Sequence, residues 1–521
     1  MNYVLLNCKY YDSSGASIHS GKSILVSGNT IKHIGQFSEC ISLADTTPEL
    51  LYLKGKIVLP AFTDTHTHFV EMAKRRIMVD LSNCQSLDEI RTELTGFRER
   101  INTAWVLGGG WDKNILDHPE MLNNAFLDSI FPDLPVALWS KDYHAKLCNS
   151  LALRIAGITE SSPDPSGGKL GRDASGKLNG ILYEKASDNL EPFIVQPDRD
   201  ILLRAIRESV NEAHSLGITG IHTMEGAFSW GLLEEDSQRY QDMRYTWHFP
   251  PEELVALAAK GLMTHSGDHW LRIGGMKLFA DGALGSQTAA IFTPYTNTRQ
   301  TGILRYSDEE LLSEAQQAVS QGFALSVHAI GTRAVHQVLS IYKQINTLYP
   351  NPGHRLEHVQ SIRPEELPLL KESGAFCAMQ PVHLANDVPM IEKHWQEIKT
   401  QAYCFKDIIA NCTAYGFGSD APIETINPFL GIYTAVQRKY ALNPASESWQ
   451  AEQAISQHQA IYGYTMGAAK LNKTDDVLGT IKPGYLADLI VMDDFEHLGC
   501  DYWLEARPSL VMCNGRIVFE T

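Results

Sequence analysis

From about Gly217 onward, short apolar runs alternate with amphipathic stretches of helical period, and this rhythm constrains the chain more than anything else in it. Gly217 to His222 and Leu271 to Phe279 read as strands, Asp308 to Ser320 as a helix with an acidic first turn, and Phe323 to His328 as the strand after it. Arg333 to Leu348 is helical in period and Arg355 to Val359 is the next strand. Pro364 to Ser373 leads into Ala375 to Gln380, and Phe405 to Asn411 into Ala414 to Ser419. Strands joined by helical crossovers run parallel, so the fold class is α/β. His328, His358 and Asp420 each fall at or just past the C-terminal end of a separate strand. That placement favours a closed (β/α)₈ TIM barrel over an open doubly wound sheet, because this rim is where such barrels collect functional groups.

The two ends have a different texture. Tyr3 to Leu6, Ser23 to Val26, Thr30 to Ile34 and Lys56 to Leu59 are β-like runs broken by turn residues, and Gly479 to Phe519 repeats the pattern. Neither piece is comfortable alone, so residues 1–60 and 475–521 are expected to pair into one small composite β-sandwich, leaving 61–474 for the barrel. Residues 72–200 fit the barrel rhythm badly and are rich in Gly, Pro and Asp. They read as an inserted α+β segment over the mouth of the barrel.

Composition removes several function classes. With 44 Lys plus Arg against 61 Asp plus Glu, the formal charge is −17, and no dense basic run offers a stripe to a phosphate backbone, so nucleic acid is not expected as a partner. The first residues lack a basic segment followed by an apolar one, and no apolar run reaches membrane-spanning length. A soluble, cytoplasmic protein without a membrane partner is expected, with homo-oligomerisation left open. Nine Cys without a CxxC pair read as reduced thiols rather than a disulfide or thiolate-metal framework.

The chemistry concentrates on His. Pro60 to His68 contains His66 and His68 two positions apart after an apolar run, and on a strand that spacing sends both imidazoles to one face, close enough to share a cation. Alone, the pair is weak evidence, because a surface strand with two ordinary His shows the same spacing. Further on come Met276-Lys277-Leu278-Phe279-Ala280-Asp281-Gly282, Ser326-Val327-His328-Ala329-Ile330-Gly331, Arg355-Leu356-Glu357-His358 and Gly418-Ser419-Asp420-Ala421-Pro422. Beside these stand Gly110-Trp111-Asp112, Ser140 to His144, Asn149-Ser150, Gly168 to Asp173, Gly180 to Glu184 and Gly479 to Leu489. In that order, over nearly its whole length, the chain resembles the amidohydrolase superfamily, and within it the YtcJ-like (amidohydrolase 3) metal-dependent hydrolases.

The resemblance implies roles. His66 and His68 would hold the more buried divalent ion with Asp420, and His328 and His358 a second, more exposed one. Lys277 would bridge the two as a CO₂-derived carboxylated lysine, in keeping with the cost of a free ammonium beside cations; the other reading pairs Lys277 with Asp281. Zinc is the first choice for such donors, one or two ions per chain, though iron, manganese, cobalt or nickel would suit them. Coordination lowers the pKa of water from about 15.7 toward about 7. The implied activity is therefore attack by metal-bound hydroxide on a C–N bond of a small molecule, an amide, N-formyl, N-acyl or carbamate bond other than a peptide. Asp420, the catalytic residue, would take the proton and pass it to the departing amine.

Deamination of a heterocycle is a weaker alternative, because Ala329-Ile330-Gly331-Thr332 follows His328 with no carboxylate to protonate a ring. Thr332 also stands where relatives often carry an acid. The non-enzymatic alternative, a catalytically degenerate metal-binding sensor or exoenzyme-regulator-like protein, is disfavoured by the intact ligand set. Trp111, His144, Glu184 and His383 are candidates to touch substrate, with His222 a similar case; each also has an ordinary structural reading. Gly108-Gly109-Gly110 lacks the Lys-Ser/Thr of a nucleotide loop and reads as a close turn at the pocket.

Overall fold

The computed structural model describes the chain other than residues 1, 14–16, 114–115, 117, 141–144, 166–167, 196, 350–351, 440–442 and 444 and the side chains of Glu184 and Asp188. The chain forms two compact units, Met1–Phe69 with Val210–Thr521, and Val70–Ser209.

The first unit is built on eight parallel strands: β1 (Phe62–Thr67), β2 (Ile218–Met224), β3 (Arg244–Phe249), β4 (Leu271–Phe279), β5 (Leu325–Ala329), β6 (Arg355–His358), β7 (Phe376–Met379) and β8 (Ala414–Phe417), each hydrogen-bonded to the next. β1 pairs with β2, and the end of β8 returns to β1 through a parallel bridge between Thr67 and Ala421. There the Asp420 N–H donates to His66 O and the His68 N–H to Ala421 O, both at 2.7 Å. The seam that closes the barrel is thus made by the backbone of residues singled out above for their side chains.

Every residue of β2, β3, β5, β6, β7 and β8 is buried, as expected of parallel strands covered on both faces. Crossover helices deliver the chain to them. Asp308–Ser320 starts on a capping box in which Ser307 Oγ accepts the Glu310 N–H and Glu310 accepts the Ser307 N–H, and it buries Leu311, Ala315, Ala318 and Val319 before β5 begins.

The chain ends meet in an eight-stranded sheet, where Ile57–Pro60 pairs antiparallel with Leu489–Met492. Its inner face packs Leu5, Ile24, Val58, Leu489, Val491 and Met512 into one core. Asp488, just before Leu489, accepts from Arg244 Nε at 2.7 Å and from a second guanidinium nitrogen at 2.8 Å, so the sheet is held to the start of β3 by a buried bidentate pair.

The second unit has a six-stranded sheet of its own, in the order Gly168–Arg172, Leu178–Glu184, Ala145–Cys148, Val136–Ser140, Val106–Trp111, Val79–Asp80, with separate cores around Leu94, Phe131 and Leu138 and around Ala152, Leu182 and Leu190. Gly108-Gly109-Gly110 is not the close turn expected: it lies within the strand Val106–Trp111. The glycines serve close strand approach, since a Cβ on Gly108 would lie 2.1 Å from Val79 O. All nine Cys are free thiols, and among the described residues no helix is long and apolar enough to cross a membrane.

Candidate metal centre

β1 carries His66 and His68. Burial of strand and ring leaves His66 0% exposed, and its Nδ1 lies 2.6 Å from Glu357 Oε2. A carboxylate can only accept here, so Nδ1 bears the proton and Nε2 presents its lone pair on the opposite side. The same logic holds twice more. His68 Nδ1 donates to Met224 O at the end of β2, at 3.0 Å, and His358 Nδ1 donates to Gln380 Oε1 just after β7, at 2.8 Å. The Gln380 amide is oriented by its own donation to Ala378 O.

These nitrogens converge on Asp420. Asp420 Oδ1 lies 3.5 Å from His66 Nε2 and 3.4 Å from His68 Nε2, and donor atoms of His66, His358 and Asp420 all lie within 4.8 Å of one another. Two donors bound tetrahedrally at about 2.1 Å from one zinc ion sit about 3.4 Å apart, so the separations suit a shared divalent cation. Backbone geometry produces the convergence. His358 ends β6 at φ +72°, a left-handed value that breaks strand alternation and is uncommon for residues other than Gly, Asn and Asp, and Asp420, three residues past β8, has φ +60°. Without that break His358 would face away from Glu357.

The other residues adjoin the cluster to different degrees. Lys277 on β4 is buried with Nζ 3.4 Å from His66 Nε2. Asp281 accepts instead from the N–H groups of Ala290, Ile330 and Gly331, and Lys277 Nζ faces His66 rather than Asp281. The His328 ring lies 4.6 Å from that of His358, but its Nε2 faces Gly282 O at 3.0 Å. His383 reaches the site: its Nε2 is 3.1 Å from Ser419 O and 3.8 Å from Asp420 Oδ2. Trp111 packs in the core of the second unit, 2% exposed, with its indole N–H donated to Leu138 O. His144 and the Glu184 side chain lie outside the described residues.

At His66 and His358 the electrostatics agree with the donor geometry. Burial holds His66 and His358 well below the ordinary imidazole value, Lys277 adding to the effect at both, so both rings are neutral. Burial opposes charge on His68 too, but Asp420 outweighs it and raises that ring. Burial brings Lys277 down to about 8.

Sequence reasoning missed the groups behind the donors: Glu357 and Arg355 on β6, His248 on β3 and Gln380. Arg355 pairs with Glu357 and donates to His222 Nδ1 and His248 Nε2 in the barrel interior, which settles His222 as an interior residue. The signal was two charges spaced by two on a strand whose neighbours leave it no solvent face. Beside the cluster, a cavity of about 370 Å³ opens at the ends of β2, β3 and β4, lined in part by Met224, Glu225, Pro250, Lys277, Phe279 and Arg305.

Comparison with known proteins bears on this cluster. A model described as the amidohydrolase family matches residues 50–519. The chain belongs to the amidohydrolase family. It is 30% identical over 522 residues to putative amidohydrolase YtcJ of Bacillus subtilis (strain 168), covering 96% of each chain. It is 25% identical over 500 residues to N-substituted formamide deformylase of Arthrobacter pascens, covering 91% of this chain and 90% of that protein. The crystal structure of an uncharacterized metal-dependent hydrolase from Pyrococcus furiosus matches at a TM-score of 0.80 and 26% identity, over 95% of this chain and 99% of that one. As an amidohydrolase the chain is a hydrolase, and the donor atoms of its His-His-Asp cluster lie close enough together to hold a metal ion.

Proposed function

We propose that this amidohydrolase hydrolyses a non-peptide C–N bond of a small molecule, an N-formyl, N-acyl, amide or carbamate bond, using a divalent cation held by His66, His68, His358 and Asp420, with zinc the first choice. The observation that carries the reading is the convergence of His66, His358 and Asp420 donor atoms within 4.8 Å, each ring turned to present Nε2. The name of the Arthrobacter pascens relative points to N-formyl amines within this class, and a cavity of about 370 Å³ suits a small substrate. Nucleic acid and membrane play no part in the proposal, and the cytoplasm is the proposed location.

A cation bound there supplies Lewis acidity, which activates water and polarises a carbonyl oxygen. The chain's own groups do the rest. Asp420 accepts the proton of the attacking water on a carboxylate oxygen and hands it to the departing nitrogen. The anchored Nδ1–H groups of His66, His68 and His358 keep the rings from turning. Lys277 and His328 adjoin the cluster and would serve a second ion. At about 8, Lys277 is deprotonated often enough to take up CO₂, which would turn it into an anionic oxygen donor.

The test is a chelator-stripped protein assayed on N-formyl, N-acyl and carbamate compounds and on aminated heterocycles, before and after addition of one divalent cation. Turnover of the first group restored by the cation is expected. Turnover of heterocycles alone assigns deamination, and cation binding without any turnover assigns a sensor.

A further inference from the structure

We infer that Glu357 is a positioning residue of the metal centre: its carboxylate, fixed from behind by Arg355, sets the His66 ring so that Nε2 faces the cation, and cation affinity depends on it. The inference rests on the reading that a cation binds at this cluster.

The geometry is specific to His66. The rings of His68 and His358 rest on neutral acceptors, Met224 O and Gln380 Oε1, whereas His66 rests on a carboxylate at 2.6 Å with both side chains 0% exposed. A carboxylate behind an imidazole fixes its tautomer and increases its basicity as a ligand. Glu357 is itself held. Arg355 Nε lies 2.8 Å from Oε1, and a second guanidinium nitrogen lies 3.2 Å from Oε2.

Arg355 in turn spans the barrel interior, donating to Thr65 O on β1, His222 Nδ1 on β2 at 2.9 Å and His248 Nε2 on β3 at 3.1 Å. His248 Nδ1 is within 2.7 Å of Ser326 Oγ on β5. Five strands therefore fix the carboxylate that fixes His66. A Glu357 that merely neutralised Arg355 would need no bond to His66. Positioning makes the bond the point of the arrangement.

The test measures Zn²⁺ affinity by competition with a chromophoric chelator and the visible absorption of the Co²⁺-loaded protein, in wild type, Glu357→Gln and Glu357→Asp. Asp is one methylene shorter, so it keeps the charge facing Arg355 and withdraws from His66. It carries the test if the Gln variant, which leaves Arg355 without a counter-charge, fails to fold. Glu366→Gln serves as control: Glu366 is a buried carboxylate paired with Arg363 and His336 elsewhere in the same unit.

Zn²⁺ affinity about 10–100-fold weaker in the folded Glu357 variants, an altered Co²⁺ spectrum and unchanged affinity in Glu366→Gln are expected. A folded Glu357 variant that binds Zn²⁺ within twofold of wild type overturns the positioning role and leaves the proposed function standing. A wild type that takes up neither ion overturns both.

Discussion

Asp420 is buried and still ionised, and the groups around it explain how. Burial alone pushes a carboxyl up, as at Asp64 and Asp281, each raised to about 7 despite the backbone N–H groups that partly oppose it. At Asp420 a hydrogen bond from His68, the ring that Asp420 itself raises, leads the groups that outweigh burial and hold the carboxyl well below the ordinary carboxylate value. It can therefore accept a proton at neutral pH. Asp420→Asn is expected to lower kcat about 10²- to 10⁴-fold while the far-UV circular dichroism stays native, and an unchanged kcat removes Asp420 from proton transfer. Metal stoichiometry separates the histidines. His66→Ala is expected to strip the protein of bound cation, whereas His328→Ala keeps at least one ion because its Nε2 faces Gly282 O rather than the cluster; equal losses by elemental analysis contradict this. The converging side chains of His66, His68, His358 and Asp420 were legible in the sequence because each stands at or just past a strand end in a fixed order. Glu357 was not, because it acts on His66 from 291 positions away, a pairing that only barrel closure creates.

At the scale of elements, β2 and β4 to β8 were found, including β6 with Arg355 and Glu357 facing the interior, whereas β3 was not. Leu271–Phe279 and the helices Asp308–Ser320 and Phe405–Asn411 have the boundaries their patterns indicate. β3 was overlooked: Arg244, Thr246 and His248 alternate with Tyr245, Trp247 and Phe249, which resembles a half-exposed strand or none. The structure turns His248 inward to Arg355 and packs Trp247 outward against Trp230, so all six residues are buried. The Gly108 region failed for a related reason, since glycine signals a turn and close strand approach equally well. Gly108→Ala places a methyl against the Val79 backbone and is expected to cost about 1–3 kcal/mol, read as a lower unfolding midpoint in urea. Cation affinity should stay at the wild-type value. An unshifted midpoint shows that the two strands separate freely.

At the scale of the whole chain, a buried ion pair between Asp488 and Arg244 joins the end sheet to the barrel. Burial opposes ionisation of Asp488, yet Arg244 overrides it and holds the carboxyl below its ordinary value. A depressed carboxyl contributes stability that is complete above its unfolded value of about 3.9 and is lost as pH falls through the folded value. The urea midpoint should therefore drop below about pH 4 more steeply in wild type than in Asp488→Asn, and at pH 7 the variant should be about 3–5 kcal/mol less stable, since Arg244 is left buried without its partner. Parallel pH profiles contradict the assignment. The same closure that buries this pair near the start of the strands gathers residues 66 to 420 at their far ends, and the whole functional account stands on that gathering. An anomalous difference map at the zinc edge, from crystals grown with Zn²⁺, tests it most directly. A peak within bonding distance of His66 Nε2, His358 Nε2 and an Asp420 oxygen is expected. A map with no peak there, or with zinc only on surface side chains, contradicts it.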